Sequence, residues 1–442
     1  MRQVRHTVAL LVMLLAGSRA QAQAPYTLAS PVNHLATIFT DLYGPNGLKV
    51  DSLATLPGEQ PHSAHFNSDF QFDFSQFTSA LVNQFVSVPL PSPSAGFTYQ
   101  FDPSLGVFQR TTRSFGPILA DRADTIGARR VSVAFAFQRF TFDAIEGLDL
   151  DKVPAVFTHD NANLLGGRED VVTTMNAIDA TVSQSTAFVT VGVTDRFDVS
   201  VAVPVVSNTL TVVSTATVRR IGTVNPLTHF FRQSDGEVGE TRIFSARGSA
   251  TGLGDIMVRL KQTVRKQTSS GIAVGLDVRI PTGDEMELLG SGTAGVQPFA
   301  IWSSTIQQFS PHLNVSYRWN GRSVLAGNPA SGESADFPDQ VGYAAGADVT
   351  AGPRVTLAFD LLGRYTINAE RLSTGTFRAL DNRSTFPNVA FTESSFNAMS
   401  GTVGMKAMLT EKLLFSANVL FSLDDHGVRD RVTPLVGLEY GF

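Results

Sequence analysis

The chain has 442 residues, contains no cysteine and carries a formal net charge of -5 at pH 7. The lack of cysteine excludes disulfides, thiolate metal sites and cysteine nucleophiles, and the mild charge without a run of lysine and arginine argues against nucleic-acid binding. Charged residues make up 17% of the chain, below the roughly one quarter that is usual in soluble proteins, and phenylalanine occurs 32 times.

The N-terminus has the features of an export signal. A basic start precedes an unbroken apolar run from Val8 to Ala16, which is too short to cross a bilayer but has the length of a signal-peptide core. Small residues at Ala20 and Ala22 predict cleavage after Ala22, so that residues 1–22 form the signal peptide. No later stretch is apolar for long enough to form a transmembrane helix, which leaves a closed barrel as the main way for this chain to live in a membrane.

Residues 23–127 differ in pattern from the rest of the chain. Ser30 and Pro31 are typical of a helix start, and a second helical pattern of phenylalanines follows at residues 66–85. A proline-rich stretch ends that pattern, and Gly96–Arg110 predicts a hairpin about Asp102. The first predicted helix carries one apolar face, formed by Leu35, Ile38, Phe39 and Leu42. The segment is apolar without spanning a membrane, so we predict a partly helical plug inside a barrel; the alternative is a periplasmic or barrel-capping extension.

Residues 128–442 alternate between apolar and polar side chains with the period of two that is typical of strands. The clearest segments are Phe197–Val203, Ile256–Lys261, Ile272–Ile280, His312–Trp319, Val341–Val349, Val355–Leu361, Met399–Ala407, Leu413–Ser422 and Val432–Phe442. Less regular strands lie near Val131–Phe142, Val171–Val193 and Val296–Gln308. The pattern predicts an all-β fold, an antiparallel transmembrane β-barrel of about 12 strands within a range of roughly 10–14.

The connections between these strands alternate in length. Tight turns are predicted at Thr194–Arg196, Gln267–Ser270, Gln308–Pro311, Ala351–Pro353 and Thr410–Lys412. Long loops are predicted at Asp143–Asp170, Arg220–Thr251, Pro281–Gly295, Gly321–Pro338 and Thr366–Ser394. Short periplasmic turns with long extracellular loops are typical of outer-membrane barrels, whereas a soluble β-sandwich lacks this polarity.

The last strand favours the bacterial outer membrane as the location. Leu438, Tyr440 and Phe442 share its apolar face, and a terminal phenylalanine preceded by such residues resembles the outer-membrane assembly signal. The expected partners are therefore outer-membrane lipids and the barrel assembly machinery. A plain amphipathic edge strand is the alternative explanation of the same pattern.

Charged residues on the polar faces of the strands are predicted to face the lumen. Asp277 is expected to pair with Arg259 or Lys261, because the tight turn between their strands places them nearly opposite. The full set first indicates a hydrated wall of mixed sign, with ligand contact as a minority hypothesis. The candidates are Asp198, Asp255, Arg259, Lys261, Asp277, Arg279, Arg318, Asp348, Asp360, Lys406 and Glu439.

Four motifs carry a resemblance to a known family: Gly252–Ile256, Ile280–Asp284, Leu289–Gly292 and His312–Tyr317. Together they resemble the outer-membrane family named for a meta-pathway of phenol degradation, which is similar in design to the plugged long-chain fatty acid transporters. The resemblance implies transport of small organic compounds, without a defined substrate, cofactor or catalytic residue. Taken by themselves, Gly254, Asp255, Pro281 and Gly283 favour turns at the outer rim of the barrel over direct ligand contact.

We therefore expect a non-enzymatic barrel for uptake or passage of small, mainly hydrophobic or aromatic compounds. A structural or adhesive barrel whose long loops bind partners is the first alternative. A barrel enzyme using His312 and Ser316 is the second, although both residues are predicted to face the lumen, where a lipid substrate would not reach them. Metal binding at His62 and His65 is disfavoured because a third ligand is not evident, and no cofactor is expected.

Overall fold

The computed structural model describes residues 27–44, 48–53, 81, 96–102, 107–110, 114–158, 170–222 and 225–442. The predicted signal peptide lies outside this range, as does the phenylalanine-rich helix predicted at residues 66–85, apart from Leu81.

Within the described residues, twelve antiparallel strands close into a barrel, each paired with its neighbour in the chain and the last paired with the first. Seven come first: β1 (Val131–Phe142), β2 (Val171–Thr194), β3 (Phe197–Arg219), β4 (Ile256–Lys266), β5 (Ser270–Ile280), β6 (Gly295–Ser304) and β7 (Phe309–Asn320). Five follow: β8 (Gln340–Thr350), β9 (Val355–Arg378), β10 (Thr385–Met408), β11 (Leu413–Ser422) and β12 (Val432–Gly441). The predicted strand number is confirmed.

The alternation in the sequence decides which side chains face outward. Along β12, every second residue from Val432 to Tyr440 is exposed, while the intervening Thr433, Leu435 and Glu439 are buried inside the barrel. The same holds around the wall, so the outer surface is a continuous apolar band. Soluble proteins rarely expose an apolar surface that runs around the whole molecule, whereas such a band suits the hydrocarbon core of a bilayer.

Aromatic residues border the apolar band at both ends. Phe309, Tyr440 and Phe442 are exposed near the short turns, and Trp319 and Tyr365 are exposed near the opposite end. Aromatic girdles at the two interfaces are typical of outer-membrane barrels. The chain is therefore a bacterial outer-membrane β-barrel. In such barrels the short turns lie at the periplasmic end, and the two ends of this barrel are named accordingly.

No helix among the described residues is long and apolar enough to cross a bilayer.

Several segments predicted as long loops are instead extensions of strands. β9 and β10 are 24 residues each, and their pairing continues from Ala369↔Ser394 to Arg378↔Thr385 across most of the predicted loop. A transmembrane strand needs only about 9–11 residues, so these ladders project beyond the membrane. The prediction was wrong there because the outer parts of these strands reach an apolar core at only a few positions, such as Leu372 and Val389, so most of their side chains have no reason to alternate in polarity.

A second such correction concerns the predicted loop Arg220–Thr251. It contains the strand Thr241–Leu253, which continues the line of β4 upward past a break at Gly254 and Asp255. This outer strand pairs with β3 on one side and, in parallel, with Thr27–Ser30 on the other.

The remaining elements are short. The strands are Ala144–Ile145, Leu148–Asp149, Val153–Thr158, Phe231–Arg232, Val238–Gly239, Arg322–Asn328, Glu333–Asp336 and Val428–Arg429, together with Tyr99–Asp102 and Val107–Arg110, which form the hairpin predicted about Asp102. The helices with described bounds are the 3-10 turns Leu35–Thr37 and Leu150–Lys152 and the α-helical turn Ile38–Asp41. Ser30 does not cap that first helix as predicted, because it ends a strand and its hydroxyl donates to the carbonyl of Leu42 at 2.8 Å.

An apolar core closes the extracellular end of the barrel. Leu35, Phe39 and Leu42, from the N-terminal segment, are almost completely buried against side chains at the outer ends of β2 and β3. Tyr43 lies edge-on to Phe157, with ring centroids 5.2 Å apart, and its hydroxyl forms a 2.8 Å hydrogen bond with Ser214. Burial raises the pKa of Tyr43 above its ordinary value, so its hydroxyl stays protonated. We refer to residues 27–44 and 48–53, with the strand ends packed on them, as the outer cap.

Candidate functional site

A second part of the N-terminal region lies inside the barrel. We refer to its described residues between 96 and 127 as the lumen segment. The lumen segment has little regular secondary structure near the wall. Its backbone groups therefore form hydrogen bonds with side chains of the barrel strands. The amide of Gly96 donates to both carboxylate oxygens of Glu439, at 2.9 and 2.8 Å. The amide of Ile126 donates to Asp198 at 3.0 Å.

The middle of the lumen segment is bound in the same way by side chains of β8, β9 and β10. The amide of Phe115 donates to the Thr356 hydroxyl at 3.0 Å, and the Phe115 carbonyl accepts from Lys406 Nζ at 3.2 Å. Ser114 donates to the carboxylate of Asp348. Because buried backbone groups need such partners, these contacts fix the path of the segment across the lumen.

Asp121 is the main charged residue that the lumen segment contributes. Its carboxylate lies 2.6 Å from Arg259 Nη1 and 3.5 Å from Lys261 Nζ. The side chain of Asn314 forms hydrogen bonds with both backbone groups of Asp121, at 2.7 and 2.9 Å. The segment is therefore held by a buried ion cluster as well as by backbone hydrogen bonds.

One backbone contact explains how the chain leaves the lumen and enters β1. Gly127 has a φ of +99°, and a Cβ built on Gly192 would lie 1.8 Å from the Gly127 carbonyl oxygen. Only glycine at position 192 allows this close approach of the lumen segment to β2.

The structure divides the candidate lumen residues into two groups. Those that contact the lumen segment are Asp198, Arg259, Lys261, Asp348, Lys406 and Glu439. Those that bind other parts of the wall or rim are Asp255, Asp277, Arg279, Arg318 and Asp360.

Asp255 and Asp277 have structural partners. Asp255 accepts from the amide of Ser291 at 2.8 Å and from Gly283 at 3.2 Å, so it ties β4 to the loop after β5. Asp277 is directly opposite Arg259 in the ladder and accepts from its Nε at 2.7 Å. Asp255 thus stabilises a turn at the rim of the barrel, and Asp277 forms an ion pair with the neighbouring strand.

The residues of the alternative enzyme hypothesis do not form a catalytic pair. His312 Nε2 lies 2.6 Å from the carboxylate of Asp360, and its Nδ1 lies 3.7 Å from that of Asp348. Ser316 donates to the carbonyl of Gly342 instead, and no hydrogen bond joins it to His312 within the described chain. A serine without a base in contact is not activated for attack.

Between the lumen segment and the outer cap the barrel encloses a chamber of about 380 Å³. Leu119 and Asp121 lie at its floor, and residues of the loop after β5, such as Leu289, reach into it from the rim. Its wall combines apolar residues of β1–β3 with arginines of β4, β5, β7 and β9. A chamber with both kinds of wall can hold a small organic molecule.

Several residues of this site were not among the candidates chosen from sequence. Arg364 lines the chamber from β9 and follows Asp360 at the same period of two, so the alternation could have found it. Asp121 and Asn314 could not be paired from sequence, since their contacts join positions far apart in the chain. Phe140 and Phe142 alternate on β1, but alternation alone does not tell a lipid-facing phenylalanine from a lumen-facing one.

The comparison with protein families agrees with this architecture. Residues 178–425, more than half of the chain, match the model of the family described as "Putative MetA-pathway of phenol degradation". The chain belongs to this family. The matched region of this phenol-degradation family member runs from β2 to the loop after β11, so the lumen segment and the N-terminal part of the outer cap precede it.

Solved structures similar to this family member are outer-membrane proteins. An outer-membrane channel of Pseudomonas putida F1 matches 73% of this chain and 99% of its own at 10% identity and a TM-score of 0.45. A monoaromatic hydrocarbon channel, CymD, matches 72% and 89% at 8% identity and 0.33. A FadL homologue of Pseudomonas aeruginosa matches 71% and 88% at 8% identity and 0.29. The search of curated proteins gives no match.

Proposed function

We propose that the protein lets small, mainly hydrophobic or aromatic organic compounds cross the outer membrane, without catalysing a reaction. The observation that carries this proposal is the chamber, which is partly apolar and lies between the lumen segment below and the outer cap above. An open general porin would need a continuous water-filled lumen, whereas here the chain's own residues cross it. The family description supports the same substrate class, since phenol is a small aromatic compound.

In this proposal the lumen segment acts as a plug whose displacement opens the route to the periplasm. Small apolar clusters, such as that of Phe97 and Phe115 with Leu414, contribute to its attachment. Most of its described contacts are hydrogen bonds and ion pairs with the wall, and water can replace these one at a time. The outer cap also has polar contacts, such as those of Tyr43 with Ser214 and of His34 with Glu287, but a large apolar core holds it, so we expect the floor to yield first.

Transport by the purified protein in liposomes tests the proposal. Liposomes that contain the intact protein should take up toluene or phenol faster than empty ones, with little ion conductance in planar bilayers. Deleting residues 23–127 should raise the conductance, because the lumen would lose its plug; the deleted barrel is first checked for assembly by its heat-modifiable migration. Large, steady conductance of the intact protein, or no uptake across a broad hydrophobic panel, would contradict the proposal.

An adhesive role is a second candidate, favoured by one observation. The β9–β10 ladder extends about ten residue pairs beyond Thr366, with exposed polar side chains on both faces. Under this alternative, removing residues 369–394 would abolish binding to a partner while leaving uptake of small compounds unchanged. Protease added to whole cells should in either case cut near Arg378 and Arg383, since both roles place this hairpin outside the cell.

We further propose that residues 1–22 direct export and that the barrel assembly machinery recognises the face formed by Leu438, Tyr440 and Phe442. Tyr440 and Phe442 are in edge-to-face contact, with ring centroids 4.7 Å apart, at the periplasmic girdle. Phe442→Asp should reduce the heat-modifiable band in the outer membrane, since a charge would replace an aromatic residue at the membrane face. Phe309→Asp is the control, because it places the same charge at the same girdle but far from the C-terminus. If recognition of the C-terminal face matters, Phe442→Asp should reduce assembly more than Phe309→Asp does.

A further inference from the structure

The wall of the chamber is divided into two chemically different halves. Arg279 on β5, Arg318 on β7 and Arg364 on β9 line one side. Phe140 and Phe142 on β1 line the other, together with side chains of β2 and β3. In a closed barrel of twelve strands, β1 and β7 are six strands apart in either direction, so the two halves face each other across the lumen.

Neither Arg279 nor Arg318 has a carboxylate within hydrogen-bond distance among the described residues. Arg318 donates from Nε to the neutral amide of Gln297 at 2.6 Å, and it forms no salt bridge within the described residues. Arg279 donates from Nη2 to Asn320 at 2.7 Å. The nearest carboxylate to Arg279, that of Asp255, is 3.8 Å away and already accepts hydrogen bonds from the rim loop.

Arg259 shows the contrast, since it faces the same chamber. It is bound by Asp277 through both Nε and Nη2, at 2.7 Å each, and by Asp121 at 2.6 Å. Arg259, which holds the lumen segment, is therefore fully paired with acids. Arg279 and Arg318 keep donors that an anion could engage, and the Nε atom of Arg279 is buried without a hydrogen bond.

Small residues leave space beside these guanidinium groups. Gly295 stands opposite Arg279 in the β5–β6 ladder, and a Cβ there would lie 3.3 Å from Arg279 Nη2. Gly342 stands opposite Arg364 in the β8–β9 ladder. Side chains from these neighbouring positions do not cover the arginines on the lumen side.

The facing wall offers an apolar surface of fixed shape. The rings of Phe140 and Phe142 stack in parallel, with centroids 5.9 Å apart and planes 11° from parallel. Both rings are almost completely buried and pack with Val182 in the apolar core below the outer cap. An aromatic or aliphatic body that lay against these rings would point a polar end toward the arginines.

We propose that the chamber is a binding site for amphiphilic organic carboxylates, with the carboxylate held by Arg279 and Arg318 and the apolar body held against Phe140 and Phe142. This rests on the proposed passage function and narrows its substrate class. The planar guanidinium fork matches a carboxylate, and charge-assisted hydrogen bonds of this kind are strong where water is partly excluded. A neutral compound of the same shape would keep the apolar contacts and lose the ionic ones.

Calorimetry of the purified full-length barrel in detergent tests the proposal with two matched probes, 4-phenylbutyrate and its uncharged amide. The carboxylate should bind about tenfold or more tightly than the amide. Arg318→Gln and Arg279→Gln should each weaken carboxylate binding about tenfold and leave amide binding nearly unchanged. Arg318→Lys should fall between, because a lysine keeps the charge and loses the fork. Phe142→Ala should weaken both probes.

The control variant is Arg383→Gln, which removes the same charge from the exposed tip of the β9–β10 hairpin and should change neither affinity. Every variant is first compared with the parent for heat-modifiable migration, and if one arginine variant does not assemble, the other carries the test. Equal binding of the two probes, or unchanged carboxylate binding in an assembled arginine variant, overturns the proposal. If that happens while neutral compounds still cross liposomes, the passage function stands. If carboxylate binding depends on the arginines but no compound crosses, the site stands and the passage function fails.

Discussion

The two ends of the barrel interior are closed by different kinds of contact, mainly polar at one end and mainly apolar at the other. At the periplasmic side, an irregular segment is held by polar side chains of the wall, such as Glu439 on Gly96 and Arg259 on Asp121. At the extracellular side, Leu42 and Phe157 belong to a large apolar core, to which polar contacts such as that of Tyr43 with Ser214 are added. Polar attachments can pass to water singly, whereas an apolar core opens only as a unit. The two ends are therefore held by different balances of polar and apolar contacts, and the floor is the end that we propose to open.

The largest expected effect is at the floor. Asp121→Asn removes the carboxylate between Arg259 and Lys261, and loss of one member of a buried ion cluster costs about 3–5 kcal/mol. We expect the lumen segment to leave its position more often, so ion conductance in planar bilayers should rise. Asp381→Asn, which removes a charge from an exposed hairpin tip, is the matched control and should leave the conductance unchanged. A silent Asp121→Asn would mean that the ion cluster does not hold the floor.

A slightly smaller effect is expected at the roof. Leu42→Ala leaves a cavity in the outer cap, where this side chain is fully buried, and such truncations cost about 2–5 kcal/mol. External protease should cut the cap faster, while conductance stays low because the floor is intact. Leu380→Ala, at an exposed position, is the control. If Leu42→Ala raised conductance as much as Asp121→Asn, the two ends would not be independent.

The smallest effect is expected from acid at the extracellular loops. Burial of Asp170 opposes ionisation, but the contact with His229 at 2.7 Å and the amides of Ile221 and Gly222 hold the pKa of this carboxyl below its ordinary value. A carboxyl with a lowered pKa stabilises the folded loop above its unfolded pKa of about 3.9, and this stabilisation is lost as the pH falls through the folded value.

Hydrogen exchange of the amides at residues 219–222 should therefore accelerate on lowering the pH from 5 to about 2 by more than the intrinsic rate change. Asp170→Asn should remove this excess and loosen the loop already at pH 5. An equal profile in the parent and the variant would show that Asp170 does not anchor the loop.

The wall of the barrel could be predicted almost completely from sequence. Side-chain alternation is a local property, and a tight turn fixes the register of the strands that it joins. Arg259 and Asp277 are therefore placed opposite each other by the residues between them alone. The predicted loop at residues 366–394 was wrong because the outer parts of β9 and β10 are mostly polar and lack this alternation. The predicted loop at residues 220–251 was wrong although Phe244 and Ala246 alternate with polar residues and are buried in the core.

The contents of the barrel were decided only by the tertiary structure. The sequence left open whether residues 23–127 form a plug or a cap, and the described parts lie both in the outer cap and across the lumen. Asp121 meets Arg259 across 138 positions of sequence, and no local pattern encodes such a contact. Closing the strands into a ring brings β1 opposite β7. Only this closure places the phenylalanines of β1 across one chamber from the arginines. The sequence by itself determined the wall, because the pairing of each strand depends only on its two neighbours. The contents of the lumen depend on all twelve strands at once, because only their closure into a ring brings distant residues together.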